Sequence, residues 1–430
     1  MADVAPRVLT AFEYDVLRVG DGSRGTLSPN EASRLLALNV ERSGFCSLVP
    51  GGLRLAGFAG LVSLGERILE VLPKVGDETM PGKARGTFLR LLRLSGEGVP
   101  VLAFGNVGHD LERHNLLAVF ASRFLVELST LVRGGLVRRY RVSMEDLRVV
   151  RGRLDLARQA TVLAMRPDVV ANRFVELCLD NPWNQVLVAA LVKVRPWIES
   201  LNCMRLWMEL MAAFAEVSRV PDAVSLLGRL VPDRQVARYG PSIEWAGLIL
   251  RLLSPNIRAG RADAPELLMD MARLFEAAVK RVLRERAPEL GVRVTAQERD
   301  RHLATVAGEN PTGMFQLQPD LVIRGRDGLV AVGDTKWKRL WPGQRQWLVP
   351  AAADAYQMHA YAAAYGCEDL CLVYPYHSGL EGAIAVSFKF PHIGGAHPPR
   401  LHLAFVDVGQ DGLPVKLSSD GTWFAREHQR

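Results

Sequence analysis

The most specific chemistry in this chain belongs to three charged residues in its last third: Asp320, which follows a proline, and Asp334 and Lys336, separated by one threonine. They lie in PDLVIRGRDGLVAVGDTKWK, residues 319–338, which reads as a β-hairpin with strands at 321–323 and 329–336 and a turn at Arg326, Asp327 and Gly328. A turn centred on Asp327 sets Asp320 opposite Asp334, within about one residue of register. Alternation along the strand then puts Asp334 and Lys336 on one face, with Thr335 turned away. Two carboxylates and a lysine at one point suit a hard divalent cation, magnesium or manganese, completed by a backbone carbonyl, waters and a phosphate oxygen. The lysine can orient or help deprotonate an attacking water and balance charge on a pentavalent transition state. The same charges also fit an exposed hairpin with ordinary ion pairs, worth about 0–1 kcal/mol. Their position just past the apolar run GLVAVG favours a site.

Two helices must position this hairpin. One starts near Pro265 and carries Leu268, Met271, Phe275, Ala278, Val279 and Val282 at helical spacing, with Pro288 and Gly291 as its stop. Glu276 lies beside that stripe, so its carboxylate either enters a cleft or stays solvated. The other is DAYQMHAYAAAYG, residues 354–366, with a glycine stop and Gln357 and Tyr361 one turn apart. Both side chains could face the cleft, although Asp354 and Gln357 also have capping-box spacing and the tyrosines could simply pack. The strand-like runs CLVYPY (371–376) and AIAVSFKF (383–390) would complete the supporting sheet.

The preceding two thirds divide in two. Up to Val75, short apolar runs broken by glycine read as strands joined by tight turns. From Thr87 to about Leu253 the spacing is helical, as in Phe88, Leu91, Leu92 and then Leu116, Leu117, Phe120, Phe124, Leu128, Leu131. Between Arg133 and Arg158 eight arginines face three acids. Arg138, Arg139, Arg151 and Arg153 are candidates for contact with nucleic acid or a partner, with a solvated, ion-paired face as the equal alternative. The turn-rich SPNIRAGRADAP, 254–265, marks a boundary. The expected architecture is α+β and multidomain, with a β-rich N-terminal region (1–85), a mainly helical middle region (86–255) and a C-terminal α/β domain (256–430) on a mixed central sheet.

At 430 residues the chain exceeds one ordinary core, and its net charge of +7 suits a polyanionic partner such as nucleic acid. Five cysteines lack both disulfide-scaffold density and zinc-site spacing, so they read as reduced thiols. No run reaches the roughly 18 apolar residues of a membrane span, and the expected location is cytoplasmic. No nucleotide site is expected in this chain. GDETMPGKA, 76–84, has five residues between its glycines where a P-loop has four, and alanine in place of the Ser or Thr. HExxH and GxSxG are also absent.

An acid on a first helix, then PD, a DxK strand and a helix carrying YQ resemble the PD-(D/E)XK, or restriction-endonuclease-like, nuclease superfamily. More particularly, MARLFEAAVKRVL (271–283), QPDLVI (318–323), GDTKWK (333–338) and DAYQMHAYAAAYG resemble the C-terminal domain of McrC proteins. EVLPKVG (70–76), YRV (140–142), RGRLDL (151–156) and NPWNQVLVAALVKV (181–194) resemble earlier McrC landmarks, so the likeness runs from about residue 66 onward. It implies the nuclease subunit of a modified-cytosine restriction system, needing magnesium or manganese. Its partner would be a McrB-like AAA+ GTPase that recognises modified double-stranded DNA and is stimulated by the nuclease subunit. It further implies Asp320 and Asp334 as metal ligands, Lys336 as the catalytic lysine, Glu276 as an additional metal-side acid and Gln357 as an active-site support. Position 334 is Asp where much of the superfamily has Glu, which shortens the reach by one methylene. A stand-alone or repair-type nuclease and a non-catalytic assembly subunit are the alternatives. Cutting both strands of a duplex suggests that two nuclease centres pair.

Overall fold

Strand pairing links the β-rich start of this chain to residues 266–270, more than 200 positions further on. In the computed structural model, residues 7–22, 25–41, 44–65, 67–74, 80–96, 115–253, 266–295, 298–306, 312–326, 328–391 and 397–419 are described. They form an α+β protein in two compact units. Residues 117–256 make one, and residues 7–116 together with 257–430 make the other. The β-rich start and the C-terminal third thus share one unit, a grouping set by long-range hydrogen bonds that no local pattern reveals.

The N-terminal part of this shared unit begins with β1 (Arg7–Phe12) and β2 (Val16–Arg18), followed by helix α1 (Pro29–Glu41). Strands β3 (Cys46–Val49), β4 (Gly52–Leu55), β5 (Phe58–Ser63) and β6 (Arg67–Leu72) lead into helix α2 (Pro81–Ser95). Parallel pairing of β1 with β6 and antiparallel pairing of β5 with β6 build one sheet, while β2, β4 and β3 form a smaller antiparallel one. Helix α1 lies in a region whose apolar runs suggest only strands. Its signal is a capping box: the Ser28 amide donates to Glu31 Oε2 at 2.8 Å, and the Glu31 amide donates to Ser28 Oγ at 3.3 Å. Leu35 and Leu38 of α1 then join Phe45, Leu53 and Leu69 in a buried core.

The 117–256 unit takes most of helix α3 (Leu116–Arg133), then strands β7 (Arg139–Leu147) and β8 (Arg153–Leu154), a short helix α4 (Leu156–Thr161) and β9 (Val170–Cys178). Helices α5 (Pro182–Lys193), α6 (Leu201–Ala213), α7 (Ala223–Leu227) and α8 (Gly240–Leu253) complete it. The region is helical as its spacing suggests, except for the antiparallel ribbon of β7 and β9, paired from Arg139↔Cys178 to Leu147↔Val170.

The chain returns to the first unit through β10 (Glu266–Asp270) and helix α9 (Met271–Arg286). A helix beginning near Pro265 is therefore corrected. Pro265 and the 254–265 boundary segment lie outside the described residues, and Glu266–Asp270 is a strand antiparallel to β5. Leu268 serves the N-terminal core from that strand, and the helix begins after Asp270, whose carboxylate accepts from the Ala272 and Arg273 amides. Next come β11 (Arg293–Thr295), the pair β12 (His302–Thr305) and β13 (Gly313–Gln316), then β14 (Leu321–Gly325) and β15 (Gly328–Thr335). Strand β16 (Trp347–Leu348), helix α10 (Ala352–Tyr365), β17 (Asp369–Pro375), β18 (Ile384–Ala385), β19 (Phe388–Lys389), β20 (Arg400–Val406) and β21 (Val415–Ser418) follow.

Seven of these strands make one mixed sheet, in the order β11-β14-β15-β17-β20-β19, with β21 also on β20. β14 and β15 are antiparallel, whereas β15, β17 and β20 run parallel, so α10 is the crossover of a βαβ unit. The run 383–390 is not one sheet strand: β18 pairs with β16, and only β19 joins β20. Among the described residues no helix is long and apolar enough to cross a membrane.

Candidate active site

The β14–β15 hairpin pairs Gly325 with Gly328 at its turn, and a bulge between Ile323 and Arg324 shifts the register by one, so that Val322 pairs with Val332, Leu321 with Gly333, and Asp320 falls opposite Asp334. Continuing β15 into a parallel neighbour, with Asp334↔Leu372 and Thr335↔Val373, buries the strand end and carries the acids inward. Asp334 is 3% exposed.

The side chains interlock. Asp334 Oδ2 lies 2.6 Å from Lys336 Nζ, and Asp334 Oδ1 accepts from Gln357 Nε2 at 3.2 Å. Gln357 Oε1 in turn accepts from Lys336 Nζ at 2.9 Å. Its Nε2 also donates to Tyr361 Oη at 2.8 Å, and the tyrosine donates to the Gln318 carbonyl at 3.1 Å. The amide therefore holds lysine and aspartate at once, a role its isosteric acid could not fill because Nε2 would become an acceptor. Asp320, Asp334, Lys336 and Gln357 are brought together.

Thr335 requires a correction. It does not turn away from the site: its backbone amide and Oγ1 both donate to Asp320 Oδ2, at 2.7 and 2.8 Å. Asp320 precedes the first paired residue of β14, and the short threonine at the end of β15 reaches back to fix it. Asp354 is also more than a helix-capping acid. Ala351 is the N-cap of α10 and makes no side-chain cap bond. Asp354 is buried, accepts from Tyr374 Oη at 3.2 Å, pairs with Lys338 at 2.5 Å and lies 3.9 Å from Lys336. It thus forms a second carboxylate–lysine layer behind the first. Its spacing, three residues before Gln357, was the available signal.

Glu276 stands half-buried on α9, beside Phe275 and 4.0 Å from Lys280 one turn on. Phe275 packs on Trp337, the residue after Lys336, with ring centroids 5.3 Å apart. The four candidate arginines all belong to the other unit. Arg139 pairs with Asp233 at 2.6 Å, Arg151 lies over the Phe174 ring at 4.0 Å, and Arg138 and Arg153 are exposed.

Burial beside Asp320 pushes the Asp334 carboxyl up to about 7, against the pull of Lys336. Asp334 Oδ2 is buried without a directed hydrogen bond despite its contact with the lysine. A buried carboxylate set beside a second acid, with a lysine to offset charge, is the donor chemistry that a hard cation takes. The described residues contain no cluster of three or more His, Cys, Asp or Glu able to hold a metal, so the protein's ligands would be the two aspartates with main-chain oxygen, and water and substrate would supply the rest.

One residue of the neighbourhood comes from the far end of the sequence. The Trp337 indole donates to both oxygens of Glu13, at 3.2 and 3.1 Å, and Glu13 also accepts the Lys74 amide at 3.3 Å. Burial raises the Glu13 carboxyl to about 7 from an ordinary 4.5, with Asp270 adding to the rise and Arg339 opposing it. Its unfolded form releases the proton at lower pH, so the protein loses stability as pH rises from about 4.5 to 7. Glu13→Gln is expected to remove that slope, on the order of 3 kcal/mol across the window, measured by urea unfolding at pH 5 and 8. An unchanged slope would show that Glu13 does not titrate in this range.

A family model for the McrBC 5-methylcytosine restriction system component matches residues 53–375. No curated protein matches the chain. Among solved structures, it resembles a chain of a Thermococcus gammatolerans half-complex of McrB AAA+ hexamers with bound McrC. Identity is 18% and the TM-score 0.64, covering 94% of this chain and 95% of the other. A chain of the T. gammatolerans McrBC complex solved by cryo-EM aligns at 22% identity over 64% of this chain and 87% of the other, with a TM-score of 0.46. The structural likeness is one of fold, while the family match covers most of the sequence, the Asp320–Asp334–Lys336–Gln357 network included: the chain belongs to the McrBC family of 5-methylcytosine restriction system components.

Proposed function

We propose that this chain is the nuclease subunit of a McrBC-like restriction system, hydrolysing phosphodiesters of modified duplex DNA with magnesium or manganese. The observation that carries the reading is the network in which Gln357 spans Asp334 and Lys336 while Thr335 fixes Asp320 across the hairpin. A mixed sheet with a helix crossing between parallel strands after a DxK strand end is the layout of a PD-(D/E)XK domain, which we assign to the C-terminal part of the chain.

Asp320 and Asp334 would hold the cation, which when bound polarises the phosphate and lowers the pKa of a water. Lys336 would orient that water and offset charge on the phosphorane oxygens. Gln357 keeps the ammonium group in place, and Asp354 with Lys338 supports the arrangement from behind. Glu276 forms no three-acid cluster with Asp320 and Asp334, so as an additional acid on the metal side it would act through water.

The partner we propose is a McrB-like AAA+ GTPase that recognises the modified DNA. Two things support this: the solved assembly this chain resembles in fold contains McrC bound to McrB AAA+ hexamers, and the sequence carries no P-loop of its own. The test is cleavage of methylated and unmethylated plasmid with magnesium, with and without the AAA+ partner and GTP. Cutting of methylated plasmid that requires both is the expected result. Partner-independent cutting would favour a stand-alone nuclease, and stimulated GTP hydrolysis with no cutting would leave an assembly subunit.

A further inference from the structure

The segment between Lys336 and helix α10 is basic and aromatic throughout. Residues 336–351, KWKRLWPGQRQWLVPA, hold four cations, three tryptophans and no acid. Lys336 and Lys338 turn inward to Asp334 and Asp354, and Arg339 faces Glu13. Arg345 is exposed, has no carboxylate partner among the described residues, and lies over the Trp347 ring at 5.4 Å.

Although outside the core, this strap is firmly placed. Leu348 is fully buried, and Trp347 and Leu348 pair with Ile384 and Ala385. The Gly343 amide donates to the Trp347 carbonyl at 2.9 Å, and His377 Nε2 lies 3.1 Å from the Leu340 carbonyl. Trp341 is held against the His377 ring, centroids 4.7 Å apart, and against the bare backbone of Gly379, where an added Cβ would come within 2.3 Å of the indole. Its remaining surface is open, leaving the residue 57% exposed. Arg345 and Gln346 both adopt left-handed backbone, at φ 59°, a conformation such residues keep only when their surroundings impose it. The Arg339 guanidinium lies over the Trp341 ring at 6.0 Å, so a held but still largely exposed indole stands near two arginines, one of them without an acid among the described residues, an arrangement preorganised for a ligand.

We infer that this strap grips the duplex substrate near the candidate cleavage centre, Arg345 contacting a backbone phosphate and Trp341 packing on the sugar of the same backbone. The inference rests on the proposed nuclease activity and adds to it the surface that holds the substrate. Arg345 is the cation of this strap left without an acid among the described residues, and an exposed arginine beside exposed tryptophans suits a phosphate backbone, contacts that hold nucleic acid without reading sequence. The Lys336 amide donates to the Val373 carbonyl at 2.9 Å and Trp341 rests on His377, four residues further along that same segment, which ties the strap to the strand paired with β15 at the candidate centre.

The experiment uses the full-length protein and a fluorescent 30-base-pair duplex, without metal for binding and with magnesium plus the AAA+ partner and GTP for cleavage. Trp341→Ala is expected to weaken binding about tenfold, with Trp341→Phe recovering most of it. Arg345→Ala should reduce the slope of log affinity against log salt by about one. Variants that bind duplex like wild type, while cleavage still depends on Asp334, would overturn the inference and leave the nuclease reading standing. Variants that lose only the AAA+ partner in a pull-down would overturn it as well, since the strap would then be a protein contact. A wild type that neither binds nor cuts DNA in any of these conditions would overturn both.

Discussion

Asp334→Asn is expected to abolish detectable cleavage, a loss of at least about 10³-fold, because several kcal/mol of transition-state charge stabilisation go with the ligand. The substitution is nearly isosteric, and the lost charge is one the fold holds at a cost: burial and Asp320 both oppose its ionisation. The folded state should therefore tolerate the asparagine well, with a Tm at pH 8 equal to or above that of wild type. Lys336→Met, which removes the ammonium group shared by Asp334 and Gln357, should cost about 10²–10³-fold in rate. Dead enzyme with intact or raised Tm is the signature of a site, since a purely structural ion pair would lose stability and spare the rate. Retained cleavage by Asp334→Asn with magnesium would remove the aspartate from the mechanism.

The largest loss of stability is expected elsewhere, at Arg85→Ala. Glu70 on β6 is fully buried and accepts Arg85 Nε and Nη2 at 3.0 and 2.8 Å, Thr10 Oγ1 at 2.9 Å, and the Leu116 amide at 2.7 Å. The carboxylate thus joins β6, β1, α2 and the first residue of α3. Removing the guanidinium leaves a buried negative charge with neutral donors only, which should cost about 3–5 kcal/mol, read as a fall in urea midpoint. Replacing both partners, as in Glu70→Leu with Arg85→Met, should cost less than Arg85→Ala alone, because no charge is stranded. Equal losses from the single and double changes would show that Arg85 contributes packing and not charge.

These results bear on what the sequence discloses. The Asp320–Asp334 register was legible to within one residue from the turn residues, and a bulge between Ile323 and Arg324 supplies the last step; Gln357 was legible because α10 has a clean glycine stop. The Thr335 orientation was not: alternation governs residues inside a strand, but Thr335 ends β15, and both its amide and its hydroxyl are taken by Asp320. Helix α1 had a local signature, Ser28 to Glu31, which the surrounding strand-like runs obscured. Glu13 and the β5–β10 pairing had none, since each depends on contacts between segments more than 200 residues apart. A charge-rich stretch likewise says little by itself. Arg139 is taken up by an acid from elsewhere in its unit, whereas Arg345, in a segment with half as many cations, is free of one among the described residues.

The pairing of β10 with β5 also sets a timetable for synthesis. When β5 leaves the ribosome its partner lies about 200 residues downstream, roughly 10–40 s away at the usual ~5–20 residues per second. Throughout that interval the 117–256 unit can fold as it emerges, while the sheet that began first waits with one edge open. The candidate centre lies later still in the chain, and Trp337 beside it can meet Glu13 only after both segments have been made. Under the proposed nuclease function, a copy still being synthesised would lack its centre until the last third had emerged, and would leave DNA uncut until then.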